Sequence, residues 1–188
     1  MLGANDVDVM GNLKFDMTPP PAQLALGARW RERFGERKVW LAASTRDGEE
    51  SLVLQARAML AASSEVGRRS LLVLVPRHPQ RFDEVAEMLD RVRIHYVRRS
   101  TWADDDTSLP ADVDVVLGDS MGEMAAYFSA ADVAFIGGSL LPLGGQNLIE
   151  ACAAGTPVVF GPHMFNFTQA SENALTAGAA RRVSDAGD

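Results

Sequence analysis

Short runs of consecutive apolar residues alternate along this chain with longer stretches in which apolar residues recur every three or four positions. Val39–Ala43, Leu71–Val75, Val133–Ile136 and Pro157–Phe160 are apolar runs of strand length, with further candidates at Ile94–Val97 and Val113–Leu117. Between them, the helical period appears in Leu24–Phe34, Glu49–Ala62, Pro79–Leu89, Met121–Ala130, Gly145–Ala154 and Phe167–Thr176. Strands that are apolar throughout are buried on both faces, and helices of this length between them serve as crossovers. The pattern therefore predicts an α/β, Rossmann-like open parallel sheet of about six strands with helices on both faces. Residues 1–20, ending in Pro19 and Pro20, read as an interdomain linker or domain edge, and 21–188, opened by Pro21, as one domain.

Ligands of such sheets bind where strands end and helices begin, so the polar turns at the carboxyl ends carry the candidate chemistry. After Val39–Ala43 come Ser44 and Thr45, whose hydroxyls either cap the next helix or receive an anion. Pro76-Arg77-His78-Pro79 clamps a basic pair between two prolines, and a guanidinium there suits phosphate or carboxylate. Asp119 or Ser120 is a natural N-cap for the following helix, and Gly122 admits a ligand close to its first turn. Gly137-Gly138-Ser139 follows the Val133–Ile136 strand, and Gly144-Gly145 is expected to open a helix that places Asn147 and Glu150 on one face. A carboxylate there is suited to the vicinal hydroxyls of a ribose.

Composition narrows the field. The hydrophobic content is 47%, the charged content 23% and the net charge −7, so a nucleic-acid or anionic-membrane surface spread over the domain is disfavoured. No apolar run reaches the ~18 residues of a membrane span, and Met1–Asn5 lacks the charged start and apolar core of a signal peptide. The single cysteine, Cys152, sits among alanines and is expected to be a small buried packing residue. The chain has no GxGxxG or GxxxxGK[ST] motif and no metal-ligand spacing. Asp104-Asp105-Asp106 lies in a polar loop and Asp112-x-Asp114 precedes a strand, so neither is expected to hold a metal. His95, inside a strand candidate, is expected to be structural.

Six motifs in order carry a family resemblance. They are Gly11-Asn12-Leu13-Lys14-Phe15-Asp16, Pro76-Arg77-His78-Pro79 with Arg81-Phe82, Leu117 through Glu123, Gly137-Gly138-Ser139, Gly144-Gly145-x-Asn147-x-x-Glu150, and Gly161-Pro162-His163-x-Phe165-Asn166-Phe167. Together, from about Val9 to Asp185, the chain resembles the 3-deoxy-D-manno-octulosonic acid (Kdo) transferases of lipopolysaccharide synthesis. The resemblance implies an inverting, metal-independent glycosyltransferase of two Rossmann-like domains, the GT-B arrangement. Such enzymes move Kdo from CMP-Kdo to the lipid A precursor at the cytoplasmic face of the inner membrane.

This chain resembles the C-terminal, donor-binding half, truncated at both ends, with no cofactor beyond the donor substrate itself. By motif, Pro76, Arg77 and His78, the turn Gly122-Glu123-Met124, Gly138 and Ser139, and Asn147-Leu148-Ile149-Glu150 would hold CMP. Lys14 would stabilise charge in the transition state. The family's general base, a Glu, and its membrane and acceptor contacts lie in a domain not present here. Arg46 and Gln146 stand where the family commonly has His, and Ala151 where it often has Pro. The residues also allow a transferase or epimerase acting on a UDP-sugar, or a nucleotide-binding module without transfer chemistry.

Overall fold

A computed structural model describes residues 17–102 and 107–188. Lys14 and the Gly11–Asp16 motif, with Asp104, Asp105 and Asp106, lie outside the described residues. Seven strands form one sheet in the order β3-β4-β2-β1-β5-β6-β7, every neighbouring pair parallel. In chain order these are β1 (Val39–Thr45), β2 (Leu71–Pro76), β3 (Tyr96–Arg98), β4 (Val115–Leu117), β5 (Val133–Ile136), β6 (Val158–Phe160) and β7 (Ala180–Arg182). The helices are α1 (Pro21–Phe34), α2 (Glu49–Ser63), α3 (Glu65–Arg69), α4 (Phe82–Arg91), α5 (Met124–Ala130), α6 (Ile149–Ala153) and α7 (Thr168–Thr176).

Alternation along the strands divides the interior in two. Leu41, Ala43, Ala134 and Ile136 join one core with Trp30 and Phe34 of α1, Tyr127 and Phe128 of α5, Ile149 of α6 and Ala170 of α7. Ala42, Leu72, Leu74 and Phe135 join the other, whose buried helical residues come from α2 and α4. The first face seats α1 hard against α5. A methyl group on Gly27 would stand 1.9 Å from Ser129 Oγ and 2.5 Å from Ala126 O, so only glycine permits this approach. At the amino end of β5, Asp132 ties three segments together: its carboxylate accepts from Val39 N at 2.8 Å and pairs with Lys38 at 3.1 Å and Arg31 at 3.6 Å.

The strand order places a topological switch between β1 and β5. From β1 the chain first builds the β2, β4 and β3 side, then returns to add β5, β6 and β7. The two neighbours lead into helices on opposite faces, α2 after β1 and α6 after β5, which opens a crevice at their carboxyl ends. On the second face a groove of about 430 Å3 lies beside α2 over β5 and β6. It is lined by Trp40, Met59, Leu60, Val133, Phe135 and Val159 and bordered by Val183 and Asp185–Asp188.

Several expectations are corrected. The sheet has seven strands instead of six, because β7 is a short charged edge, Ala180-Arg181-Arg182, without an apolar run. The helix expected over Gly145–Ala154 is only α6; Gly144 and Gly145 (φ of 91° and 75°) build the loop before it. The helix expected from Met121 begins at Met124, with Gly122 (φ of 77°) in the preceding turn. Cys152 is exposed, since on so short a helix Ile149 and Ala151 take the buried positions. His95 precedes β3, where its ring pairs with Asp112 at 3.2 Å, and Asp114 pairs with Arg57.

Candidate functional site

The crevice between β1 and β5 holds a cleft of about 350 Å3. Ala43 and Ser44 reach it from the end of β1, Arg77 from the turn after β2, and Ile136 from the end of β5. Met124 and Phe128 of α5 and Phe167 supply apolar wall, and Gln146, Asn147 and Glu150 complete the rim. Four sequence-predicted residues therefore meet in one place: Arg77, Met124, Asn147 and Glu150.

Local chemistry explains how each is held. Pro76 is buried as the last residue of β2 and the Arg77 backbone N–H donates to Thr45 O at 2.9 Å, which seats the turn against β1. Arg77 Nε donates to Gln146 Oε1 at 3.2 Å, fixing the guanidinium across the cleft mouth. Asn147 stands two residues before α6 and reaches into its first turn: its Oδ1 accepts from Ile149 N at 3.0 Å, while its Nδ2 donates to Glu150 Oε1 at 3.0 Å. The amide thus orients the carboxylate and leaves Glu150 Oε2 as an acceptor for a ligand. A cation, a carboxylate with a free oxygen and an aromatic wall suit a ligand carrying an anion, adjacent hydroxyls and a flat ring.

Other predicted residues lie around the cleft in different roles. Leu148 (1% exposed) and Ile149 belong to the core. His78 is exposed at the head of the short turn Pro79–Arg81. Gly122 is exposed, with open space where a side chain would stand. Glu123 pairs with Arg99 at 2.7 Å and accepts from Ser120, whose hydroxyl also meets Tyr127 Oη at 2.9 Å. Burial pushes the Tyr127 phenol well above its ordinary value, so it stays a neutral partner in this cluster. Asp119 does not cap α5; it accepts from Ser100 N at 2.8 Å and Ser100 Oγ at 2.6 Å. Thr45 does not cap α2 either, its hydroxyl donating to Glu50 Oε1 at 3.0 Å.

Gly138 and Ser139 are buried behind the cleft. Ser139 Oγ donates to Ile136 O at 2.5 Å and accepts from Gly161 N at 2.8 Å, joining the turns after β5 and β6. Gly137 packs so closely on the end of β1 that an added methyl would stand 2.3 Å from Ser44 O. Sequence reasoning raised Ser44 as a helix cap or anion donor, and the structure makes it cleft wall; it missed Gln146 as the partner of Arg77 and the buried pair Glu49 and Glu50. Gln146 carried two signals, its place between Gly145 and Asn147 and its standing where the family commonly has His, and neither pointed to Arg77.

A doubly wound parallel sheet with a polar crevice at its switch point makes this a Rossmann-like α/β domain. No family model matches the chain. It is 50% identical over 184 residues to the 3-deoxy-D-manno-octulosonic acid transferase of Bordetella pertussis, covering 98% of this chain and 42% of that protein. With the enzyme of that name from Haemophilus influenzae it shares 39% over 169 residues, covering 87% and 37%. Its structure superposes on the crystal structure of the C-terminal CMP-Kdo binding domain of WaaA from Acinetobacter baumannii with a TM-score of 0.77 and 34% identity, covering 88% of this chain and 84% of that one. The chain belongs to the 3-deoxy-D-manno-octulosonic acid transferase family and corresponds to its C-terminal domain. It spans about two-fifths of the length of the curated relatives it matches.

Proposed function

We propose that this chain is the donor-binding part of a Kdo transferase and that its cleft holds the CMP portion of CMP-Kdo. The observation that carries the reading is the convergence of Arg77, Asn147 and Glu150 at the switch point. Arg77 meets the phosphate, Glu150 accepts from ribose hydroxyls, and the wall of Phe128, Met124 and Phe167 takes the apolar faces of the nucleoside. The relatives named for Kdo transfer and the solved CMP-Kdo binding domain support this choice of donor.

In the longer protein, the departing CMP phosphate is stabilised on this side, with Lys14 a further cation. A carboxylate base from the partner domain deprotonates the acceptor hydroxyl on the lipid A precursor. Attack on the face opposite the phosphate inverts the anomeric centre, and no step calls for a metal. With a lipid acceptor of this kind, we infer that the work takes place at the cytoplasmic face of the inner membrane. No helix among the described residues is long and apolar enough to cross a membrane.

Calorimetric titration of the 188-residue chain tests the reading. CMP binds, and Arg77→Ala and Glu150→Ala each weaken it by about 30-fold, the equivalent of roughly 2 kcal/mol for one charge-assisted hydrogen bond. Affinity untouched by both changes would remove the cleft assignment. Tighter binding of UMP than of CMP would move the donor to a uridine nucleotide.

A further inference from the structure

Glu49, the first residue of α2, is fully buried at 0% exposure. Backbone groups satisfy it. Oε2 accepts from Arg46 N at 3.0 Å and Gly138 N at 2.5 Å; Oε1 accepts from Ser139 N at 3.0 Å and Leu140 N at 3.1 Å. A carboxylate offers about four acceptor sites, so all of its capacity is used. Gly138, Ser139 and Leu140 present three successive N–H groups from a turn with Gly138 at φ of 70°, the kind of concavity that receives an anion. At a switch point this is a natural seat for a ligand phosphate. Here the protein has filled the seat from within.

The neighbouring donors are spent as well. Gly145 N donates to Gly138 O at 2.7 Å and Gln146 N to Gly137 O at 2.9 Å. The same carboxylate fixes the loop after β1. Its bond to Arg46 N closes that loop two residues beyond Ser44, a non-glycine residue at φ of 56° that lines the cleft. The β1–β2 register is irregular between Ala43 and Thr45, and Gly137 packs on the Ser44 carbonyl from the other side. A strained residue persists where its surroundings over-determine it, and Glu49 is one of the groups that does so.

We propose that Glu49 is a positioning residue of the donor cleft. As a built-in anion it occupies the turn after β5, ties it to the loop after β1, holds Ser44 at the cleft wall, and leaves Arg77 to meet a ligand's single phosphate. It follows that the site gains nothing from a second phosphate. This rests on the CMP reading above, and it assigns the preference for one phosphate to a residue that touches no ligand.

The test titrates the 188-residue chain with CMP and with CDP, alongside circular dichroism to establish folding. Unaltered protein binds CDP no more tightly than CMP. Glu49→Ala empties the turn and moves the CDP-to-CMP preference toward CDP by about tenfold, the effect of a gained hydrogen bond of roughly 1.4 kcal/mol. Glu49→Gln keeps the volume but sets donors against N–H groups, and lowers CMP affinity by about tenfold at a temperature where the variant is folded. A residue that only stabilised the fold would lower Tm and leave both the preference and the folded-state affinity unchanged; that result overturns the proposal. Should Glu49→Ala not fold, Glu49→Gln decides alone. If the unaltered chain binds neither nucleotide, the donor reading falls separately. Hydrogen exchange of amides 138–140 then decides the tie: faster exchange in Glu49→Gln upholds it, and identical exchange overturns it.

Discussion

Two depressions share the same strands and could hardly differ more. β1 sends Ala43 toward the 350 Å3 cleft and Trp40 toward the 430 Å3 groove; β5 sends Ile136 to the first and Phe135 to the second. The groove is the larger, and its middle is apolar. The cleft is smaller, but the Arg77 guanidinium from the turn after β2 meets the Asn147 amide and the Glu150 carboxylate from the loop and helix after β5 there. Convergence of polar groups requires that turns distant in sequence be brought together, which marks a binding site.

The contrast can be broken at either end. The largest effect is expected from Phe135→Ala. Deleting a ring that is 8% exposed between the second core and the groove costs about 3 kcal/mol and lowers Tm by about 10 °C. CMP affinity at low temperature is unchanged, because alternate residues of a strand face opposite ways. Urea unfolding with parallel CMP titration measures both, and a large loss of CMP affinity would show the two depressions to be coupled.

A smaller effect is expected at Asp132, beside the groove and far from the cleft. Burial works to raise its carboxyl pKa, but the Val39 N–H, Lys38 and Arg31 outweigh it and hold the group below the usual carboxylate range. Because the folded-state value is depressed, its stabilisation is present above the unfolded value of about 3.9 and is lost as pH falls through the lowered folded value. With the side chain 32% exposed, solvent screening limits the loss in Asp132→Asn to about 1 kcal/mol or less at pH 7. The variant should converge with the unaltered protein in acid-titrated melts, again with CMP affinity intact; a difference that persists in acid would assign Asp132 a role other than its charge.

The smallest effect is expected from Met59→Gln with Leu60→Gln, at side chains 46% and 40% exposed. Stability moves by no more than about 0.5 kcal/mol. Binding of a hydrophobic dye should fall, and saturating CMP should displace none of that dye from the unaltered chain. Displacement would place nucleotide in the groove.

Much of this was legible beforehand. Leu71–Val75 and Val133–Ile136 read as interior strands, because runs of four or five apolar residues between polar turns are too short for a buried helix. The helix over Gly145–Ala154 was overestimated for a local reason. Its composition is helical, but Gly144 and Gly145 take positive φ to bring the loop back onto Gly137 and Gly138. β7 was missed because an edge strand needs little apolar character. Arg77 and Glu150 were found from the chemistry of their turns. Gln146 was not, since its value lies in reaching Arg77, a residue 69 positions away.

Glu49 shows the limit most clearly. Two adjacent acidic residues at the start of a helix satisfy the helix dipole and read as surface positions. In the fold both are buried: Glu50 bonds Thr45 and pairs with Arg81 at 3.1 Å, while Glu49 crosses the switch point to Gly138, Ser139 and Leu140. The sequence alone determined the alternation of buried strands and crossover helices and the turns in which chemistry sits, because hydrophobic period and turn preference are local properties. The tertiary structure alone decided which turns share a cleft and which anion seat is already taken, because both depend on strand order, and strand order is set by the packing of the whole sheet.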